Sequence, residues 1–232
     1  MKIGIAVVCR YNSSRLNGKI FQKFGKQTVI EIIHDRLRKN FSNIPIVIAT
    51  SSEKSDDIIC DFCLKNNFDF FRGSLNDVAK RLIDCSNHFG WDYFVRINGD
   101  NVFVDVESLK EMIQISLNHS KNFVTNVPSR TFPYGMSVEI LNTKFFEDIY
   151  FNKINTEEHK EHVTKWLYDN LNKKQYFEYK NHKYNFIKGK KIALDTHEDS
   201  LLIQKIINFS NDSVNSISLD TINSFFRDIK NK

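Results

Sequence analysis

The chain has 232 residues, 41% of them hydrophobic and 26% charged, and a formal net charge of +5. That suits one sizeable globular α/β domain, residues 1–232, and is only mildly basic. No apolar run nears the ~18 residues of a membrane span, the Lys residues form no compact tract, and the amino terminus lacks a charged-then-apolar leader, so we expect a cytoplasmic protein that binds neither membrane nor nucleic acid.

Four cysteines, Cys9, Cys60, Cys63 and Cys85, are then expected to be reduced. Cys60 and Cys63 form a C-x-x-C, but no second Cys/His pair sits at ligand spacing. On a helix they read as packing residues.

Ile3 to Cys9 is an apolar run, expected to be a buried strand, that opens into a polar loop. The loop carries Arg10, Asn12, Ser13, Ser14, Arg15, Gly18 and Lys19. Hydroxyls, exposed amides, a glycine and three cations suit a polyphosphate at the carboxyl end of a strand. The same residues also suit a solvated surface loop, and the pattern is neither a P-loop nor GxGxxG.

Ile30, Ile33 and Leu37 mark a helical face, and Ile46 to Ala49 a second buried strand. That strand closes on Thr50, Ser51 and Ser52, hydroxyls placed either for a ligand or to cap a helix over 56–64. Phe68 to Phe71 reads as a third strand, followed by Arg72, Gly73, Ser74 and Asp77. Ser74 and Asp77 fit a helix start, with Ser74 as its cap, before the stripe Val78, Leu82, Cys85, Phe89.

Tyr93 to Ile97 is the fourth strand and runs into Asn98-Gly99-Asp100-Asn101. A carboxylate there is well placed to meet Mg²⁺, although Gly-Asp-Asn is also a turn. Asp105 reads as the cap of a helix through Leu109, Met112, Ile113 and Leu117, and Phe123 to Val127 as a strand. Residues 128–140 then break the strand–helix alternation. Glu139 alternates with Val138 and Ile140, so we place it away from the apolar side of a strand.

Lys160 to Thr164 reads as the start of a helix through Val163, Trp166, Leu167 and Leu171. His159 and His162, set among Glu158 and Glu161, leave a metal site, an acceptor contact and plain helix polarity open. Two strand-like runs are expected across 184–194. Thr196 and Asp199 fit a cap after Asp195, and Leu219, Ile222, Phe225 and Phe226 mark a final helix.

Taken in order, these segments resemble a known family. Arg10 to Lys19 reads R-x-N-S-S-R-L-x-G-K, followed by A-T-S at 49–51, R-G-S-x-x-D-V at 72–78 and R-x-x-G-D-x-x-x-x-D at 96–105. P-x-G-x-x-V-E, K-E-H-V-T and L-D-T-x-E-D complete the set. This is similar to the cytidylyltransferases that make CMP-activated acidic sugars, especially the spore-coat-polysaccharide-type branch near the CMP-Kdo and acylneuraminate enzymes.

The resemblance implies a Rossmann-like nucleotidyltransferase fold: a mostly parallel sheet with helices on both faces. Residues 128–140 would be a small β-excursion that lines the acceptor pocket and helps form a homodimer. It implies Mg²⁺-dependent transfer of CMP from CTP to an acidic sugar for a surface glycan, with pyrophosphate released. Arg10, Asn12, Ser13, Ser14, Arg15, Gly18 and Lys19 would hold the triphosphate, with Lys19 near the transferring phosphate. Ala49, Thr50, Ser51, Arg72, Gly73, Ser74, Asp77 and Asn98 would border base and ribose. Asp100 and Asp195 would bind the metal, and Tyr134, Glu139 and His162 would face the acceptor.

The chain departs from the family pattern at Asn17, Val102, Tyr134 and Lys160. Tyr134 stands where Asp is usual and bears on the acceptor's identity. Three alternatives stay open: a phosphorylated alditol or sugar giving a CDP product, a nucleotide-sugar-dependent glycosyltransferase, and a nucleotide-binding protein without turnover.

Overall fold

A computed structural model describes residues 1–13, 15–210 and 213–231. Strand β1 (Ile3–Val8) is followed by a 3-10 turn (Lys19–Phe21) and a small hairpin, β2 (Lys23–Phe24) and β3 (Gln27–Thr28). Helix α1 (Val29–Asn40) starts from a capping box: Thr28 accepts from the Glu31 N–H, and the Glu31 carboxylate reaches back. Then come β4 (Ile46–Ser51), α2 (Asp57–Asn66), β5 (Asp69–Gly73), α3 (Val78–Phe89) and β6 (Tyr93–Asn98). The second half holds α4 (Val106–Asn118), β7 (Phe123–Thr125), β8 (Val138–Asn142) and α5 (Thr143–Lys153). It ends with α6 (Glu157–Glu161), α7 (Lys165–Asn170), β9 (Phe177–Glu178), α8 (His197–Ser210) and α9 (Leu219–Lys230).

Seven strands form one sheet in the order β5-β4-β1-β6-β8-β7-β9. The first four are parallel; β8 runs antiparallel to both β6 and β7, and β9 is parallel to β7. Both faces are covered, which explains the unbroken apolar runs of β1 and of Ile46 to Ala49 in β4. Alternation along β1 sorts the two layers. Ile5 and Val7 pack with α1, α2, α4, α8 and α9, while Ala6 packs with α3, α5 and α7. This is the expected α/β architecture. No helix among the described residues is long and apolar enough to cross a membrane.

Several local expectations are corrected. The cap of α3 is Asp77, which accepts from the Lys80 N–H at 2.8 Å; Ser74 lies one turn earlier and accepts from the Asp77 N–H at 3.0 Å. The helix expected from Lys160 is split, because α6 ends at Glu161 and α7 begins at Lys165. The strand-like runs across 184–194 form no strand; the chain makes one bridge there, Tyr134 to Lys191. Helix α5 and strand β9 were not expected at all. Asp105 caps α4 as expected, accepting from the Ser108 N–H at 3.0 Å.

Candidate active site

From β1 the chain moves outward to β4 and β5, then returns to add β6 on the other side of β1. Where strand order reverses in this way, the carboxyl ends of the two central strands leave a crevice. Gly99 closes its floor. Its N–H donates to the Val8 carbonyl at 2.8 Å, and a Cβ there would stand 2.7 Å from Cys9 Cβ. Only glycine lets the two strand ends meet, and the meeting sets Asp100 beside the loop after β1.

That loop is pinched shut by the Gly18 N–H, which donates to the Tyr11 carbonyl at 2.9 Å. Gly18 takes the left-handed conformation, φ 65°, and turns the chain into the 3-10 segment that begins at Lys19. Lys19 Nζ then lies 2.9 Å from Asp195 Oδ1 and 3.3 Å from Asp100 Oδ2. A Leu194 N–H bond to the Asp100 carbonyl, 3.1 Å, draws these carboxylates together from distant parts of the chain. Arg15 reaches Asp195 at 3.2 Å, and Arg10 lies 3.9 Å from Glu161. Thr196 and Asp199 form the expected cap: Asp199 accepts from the Thr196 and Asp195 N–H groups at 2.9 and 3.0 Å.

These groups line a cleft of about 300 Å³. Asp100 and Asp195 offer hard oxygen donors to one point, which fits a divalent cation. No cluster of three or more His, Cys, Asp or Glu among the described residues could hold a metal alone. The remaining ligands would therefore come from phosphate and water.

A second cavity of about 310 Å³ adjoins the first and shares Arg96, Asn98 and His162 with it. Its floor is Glu139, which lies on the expected face of its strand. That face is buried, and Glu139 is only 4% exposed. The break between α6 and α7 brings Thr164 Oγ1 onto Glu139, joined by Tyr168 OH at 2.7 Å and by Arg96. His162 lies in the same break and lines both cavities.

The segments expected to border the base make most of their polar contacts within the protein. Thr50 and Ser51 are fully buried, and both hydroxyls donate to Asp56 Oδ2, at 2.9 and 2.5 Å. The Tyr11 N–H donates to Asp56 Oδ1 at 2.7 Å. Arg72 is occupied by the Ser51 and Glu53 carbonyls, at 3.0 and 2.9 Å, and by Asp57 at 2.7 Å. At Gly73 a Cβ would stand 2.7 Å from Arg81 Cγ, so the glycine makes room for that arginine. The Ser74 and Ala49 carbonyls accept from the Arg81 guanidinium at 2.9 and 3.3 Å. Asp77 also accepts from Tyr150 OH at 2.6 Å.

None of Ala49, Thr50, Ser51, Arg72, Gly73, Ser74 and Asp77 lines the cleft; Leu75, Val78 and Arg81 line it there instead. Arg81 and Asp56 are what sequence reasoning missed. Arg81 left a signal: it stands on the inward stripe of α3, between Val78 and Leu82, as a lone charge. Of the other expected residues, Ser13 and Asn98 line the cleft, Asn12 is exposed, and Ser14 lies outside the described residues. Tyr134 is 43% exposed and lines neither cavity. All four cysteines are free and buried; burial raises the Cys60 thiol and pushes Cys63 and Cys85 up to about 12, which suits packing rather than redox work.

A doubly wound sheet with a cation-rich cleft at its switch point defines an α/β nucleotide-binding protein. The sequence profile of the cytidylyltransferases matches residues 5–222, and the chain belongs to that family. It is 30% identical over 165 residues to the spore coat polysaccharide biosynthesis protein SpsF of Bacillus subtilis, covering 69% of this chain and 68% of that one. A cytidylyltransferase structure from Leptospira borgpetersenii superposes with a TM-score of 0.89 at 28% identity, covering 99% of this chain and 96% of the other. The fold is shared more distantly with CMP:2-keto-3-deoxy-manno-octonic acid synthetase complexed with CTP, with a TM-score of 0.62 at 13% identity, covering 90% of this chain and 99% of the other.

Proposed function

We propose that this cytidylyltransferase moves CMP from CTP to an acidic sugar of the ulosonic or nonulosonic type, releasing pyrophosphate, for a surface glycan. The observation that carries the reading is the gathering of Arg10, Arg15 and Lys19 against Asp100 and Asp195 in one switch-point cleft. The names of SpsF and of the CTP-bound synthetase agree with it.

In this reading the acceptor hydroxyl gives its proton to water, its oxygen forms a bond to the α-phosphorus of CTP as the bond to the bridging oxygen breaks, and pyrophosphate leaves. Lys19 is the most enclosed of the three loop cations, its side chain 17% exposed against 43% for Arg10 and 63% for Arg15, and in this reading it would meet the α-phosphate. Arg10 and Arg15 neutralise the departing phosphates, and the loop amides orient them. Asp100 and Asp195 would hold a Mg²⁺ ion, which would supply positive charge for the phosphate oxygens. Such transfer needs positioning and charge more than a side-chain nucleophile. The enzyme works in the cytoplasm, where CTP is made, as a homodimer.

Calorimetry with CTP, UTP, ATP and GTP, each with Mg²⁺ and with chelator, tests the nucleotide half. Preference for CTP that depends on Mg²⁺ is the expected result. Absence of binding to any triphosphate would overturn the reading. Pyrophosphate release across a panel of sugar acids then tests the acceptor half.

A further inference from the structure

Three Lys or Arg side chains line the cavity next to the nucleotide cleft: Arg96, Arg130 and Lys165. Two are neutralised from within the protein. Arg96 pairs with the buried Glu139, and Lys165 with Asp169 at 2.6 Å. Arg130 has no carboxylate partner among the described residues. Its recorded contacts are a long one to Ser137 Oγ, 3.5 Å, and the face of the Tyr134 ring, 4.3 Å from guanidinium carbon to centroid.

The backbone holds Arg130 in place at a cost. Its φ is 46°, in the left-handed region where a non-glycine residue is strained. Arg130 closes a turn in which its N–H donates to the Val127 carbonyl at 3.1 Å. The preceding N–H, of Ser129, is taken by the Glu178 carboxylate at 2.5 Å. Glycine would adopt this conformation freely. The arginine brings a planar, always-charged fork to the cavity wall.

Tyr134 is tied down in turn. Its N–H donates to the Lys190 carbonyl and its carbonyl accepts from the Ile192 N–H, each at 2.8 Å. The ring is thus mounted on the segment that leads to Asp195. It sits outside the cavity and behind the guanidinium, where the π face steadies a cation without using its N–H donors.

The geometry points to Arg130 as the residue that binds the anionic group of the acceptor, with Tyr134 as the positioning residue that aims it. This deepens the function proposed above and rests on it for the word acceptor. The chemistry is that of a planar or tetrahedral oxyanion meeting a guanidinium fork, which a sugar carboxylate or a phosphate ester both satisfy.

The test is a titration of the Arg130 Nε–Hε resonance, assigned by its loss in Arg130→Lys, in protein with and without saturating CTP and Mg²⁺. The probes are N-acetylneuraminate and acetate for the carboxylate, and glycerol 3-phosphate and inorganic phosphate for the phosphate. One class should shift the resonance saturably with CTP present, at least tenfold more tightly than the other, and so identify the source. Arg130→Ala has no such resonance and is compared with the wild type by calorimetry: it should weaken that anion at least tenfold while CTP affinity changes less than twofold. Tyr134→Ala should weaken it several-fold, whereas Tyr134→Phe, which keeps the ring, should retain it. The ring-current shift that the Tyr134 ring imposes on the Arg130 resonance should vanish in Tyr134→Ala and persist in Tyr134→Phe, which ties the effect to the ring stacked on the guanidinium rather than to general packing.

The proposal is overturned if no probe moves Arg130, or if Arg130→Ala binds the anions as the wild type does. Failure of CTP to bind any of the proteins would instead remove the nucleotide reading, and the titration without CTP would still decide the fate of Arg130.

Discussion

Two carboxylate sites lie along the same edge of the sheet, and they are satisfied in opposite ways. Asp56 is fully buried and receives four neutral donors: the Tyr11 N–H, the Thr50 hydroxyl, and the Ser51 N–H and hydroxyl. Asp100 and Asp195 are met by cations on flexible stems, Lys19 and Arg15, with Lys191 3.7 Å from Asp195. Fixed backbone and hydroxyl dipoles from two segments, the loop after β1 and the end of β4, satisfy a charge permanently. Cations satisfy it exchangeably, because a metal and a phosphate can replace them as partners to each other. The comparison separates a carboxylate fixed within the scaffold from two that the proposed function puts to work in the cleft.

The largest effect that would sharpen this contrast is on turnover. Asp100→Asn and Asp195→Asn should each cut turnover about 100-fold or more, about 2.7 kcal/mol of barrier, with folding intact by circular dichroism. Full Mg²⁺-dependent activity in either variant would break the contrast. Asp56→Asn should act on stability instead. The amide turns one acceptor into a donor facing other donors, so a loss of about 2 kcal/mol in urea unfolding is expected. Affinity for CTP should fall less, through a loosened Tyr11.

The pH dependence follows from the same residue. Burial alone would raise the Asp56 carboxyl, but the Ser51 hydroxyl, the Tyr11 and Ser51 N–H groups and the Thr50 hydroxyl more than reverse it, holding it below its ordinary 3.8. The stabilisation is complete above the unfolded value and is lost as pH falls through the lower folded one. Urea midpoints of the wild type should therefore decline below about pH 4, and Asp56→Asn should flatten that part of the curve.

What was legible in the sequence follows the same division. Continuous apolar runs ending in polar loops mark β1 and β4, β6 carries Arg96 within its run, and the Gly-Asp after β6 marks the carboxylate that meets Lys19. The companion at Asp195 was legible only through the family resemblance, since nothing local says that Leu194 bonds to the Asp100 carbonyl. Thr50 and Ser51 showed hydroxyls at a strand end, but not that they point down to Asp56 and away from the cleft. The break at His162–Thr164 was hidden because Val163 and Leu167 keep helical spacing across it while both are buried. Ile187, Ile192 and Leu194 make a strand-like pattern through burial, while among the described residues the segment's one β-bridge is Lys191 to Tyr134.

Arg72 carries the smallest expected effect and the finest test of the division. Its guanidinium holds the Ser51 and Glu53 carbonyls and Asp57, and its side chain is 31% exposed. Solvent screens the ion pair, so Arg72→Ala should lower stability by only about 0.5–1 kcal/mol. Its CTP affinity should stay within about twofold of the wild type, because Arg72 does not line the cleft. The opposite pattern, a tenfold loss of CTP affinity at unchanged stability, would mean that the guanidinium leaves those carbonyls for the nucleotide. Arg72 would then belong with the exchangeable cations, and the scaffold around Asp56 would be part of the working site.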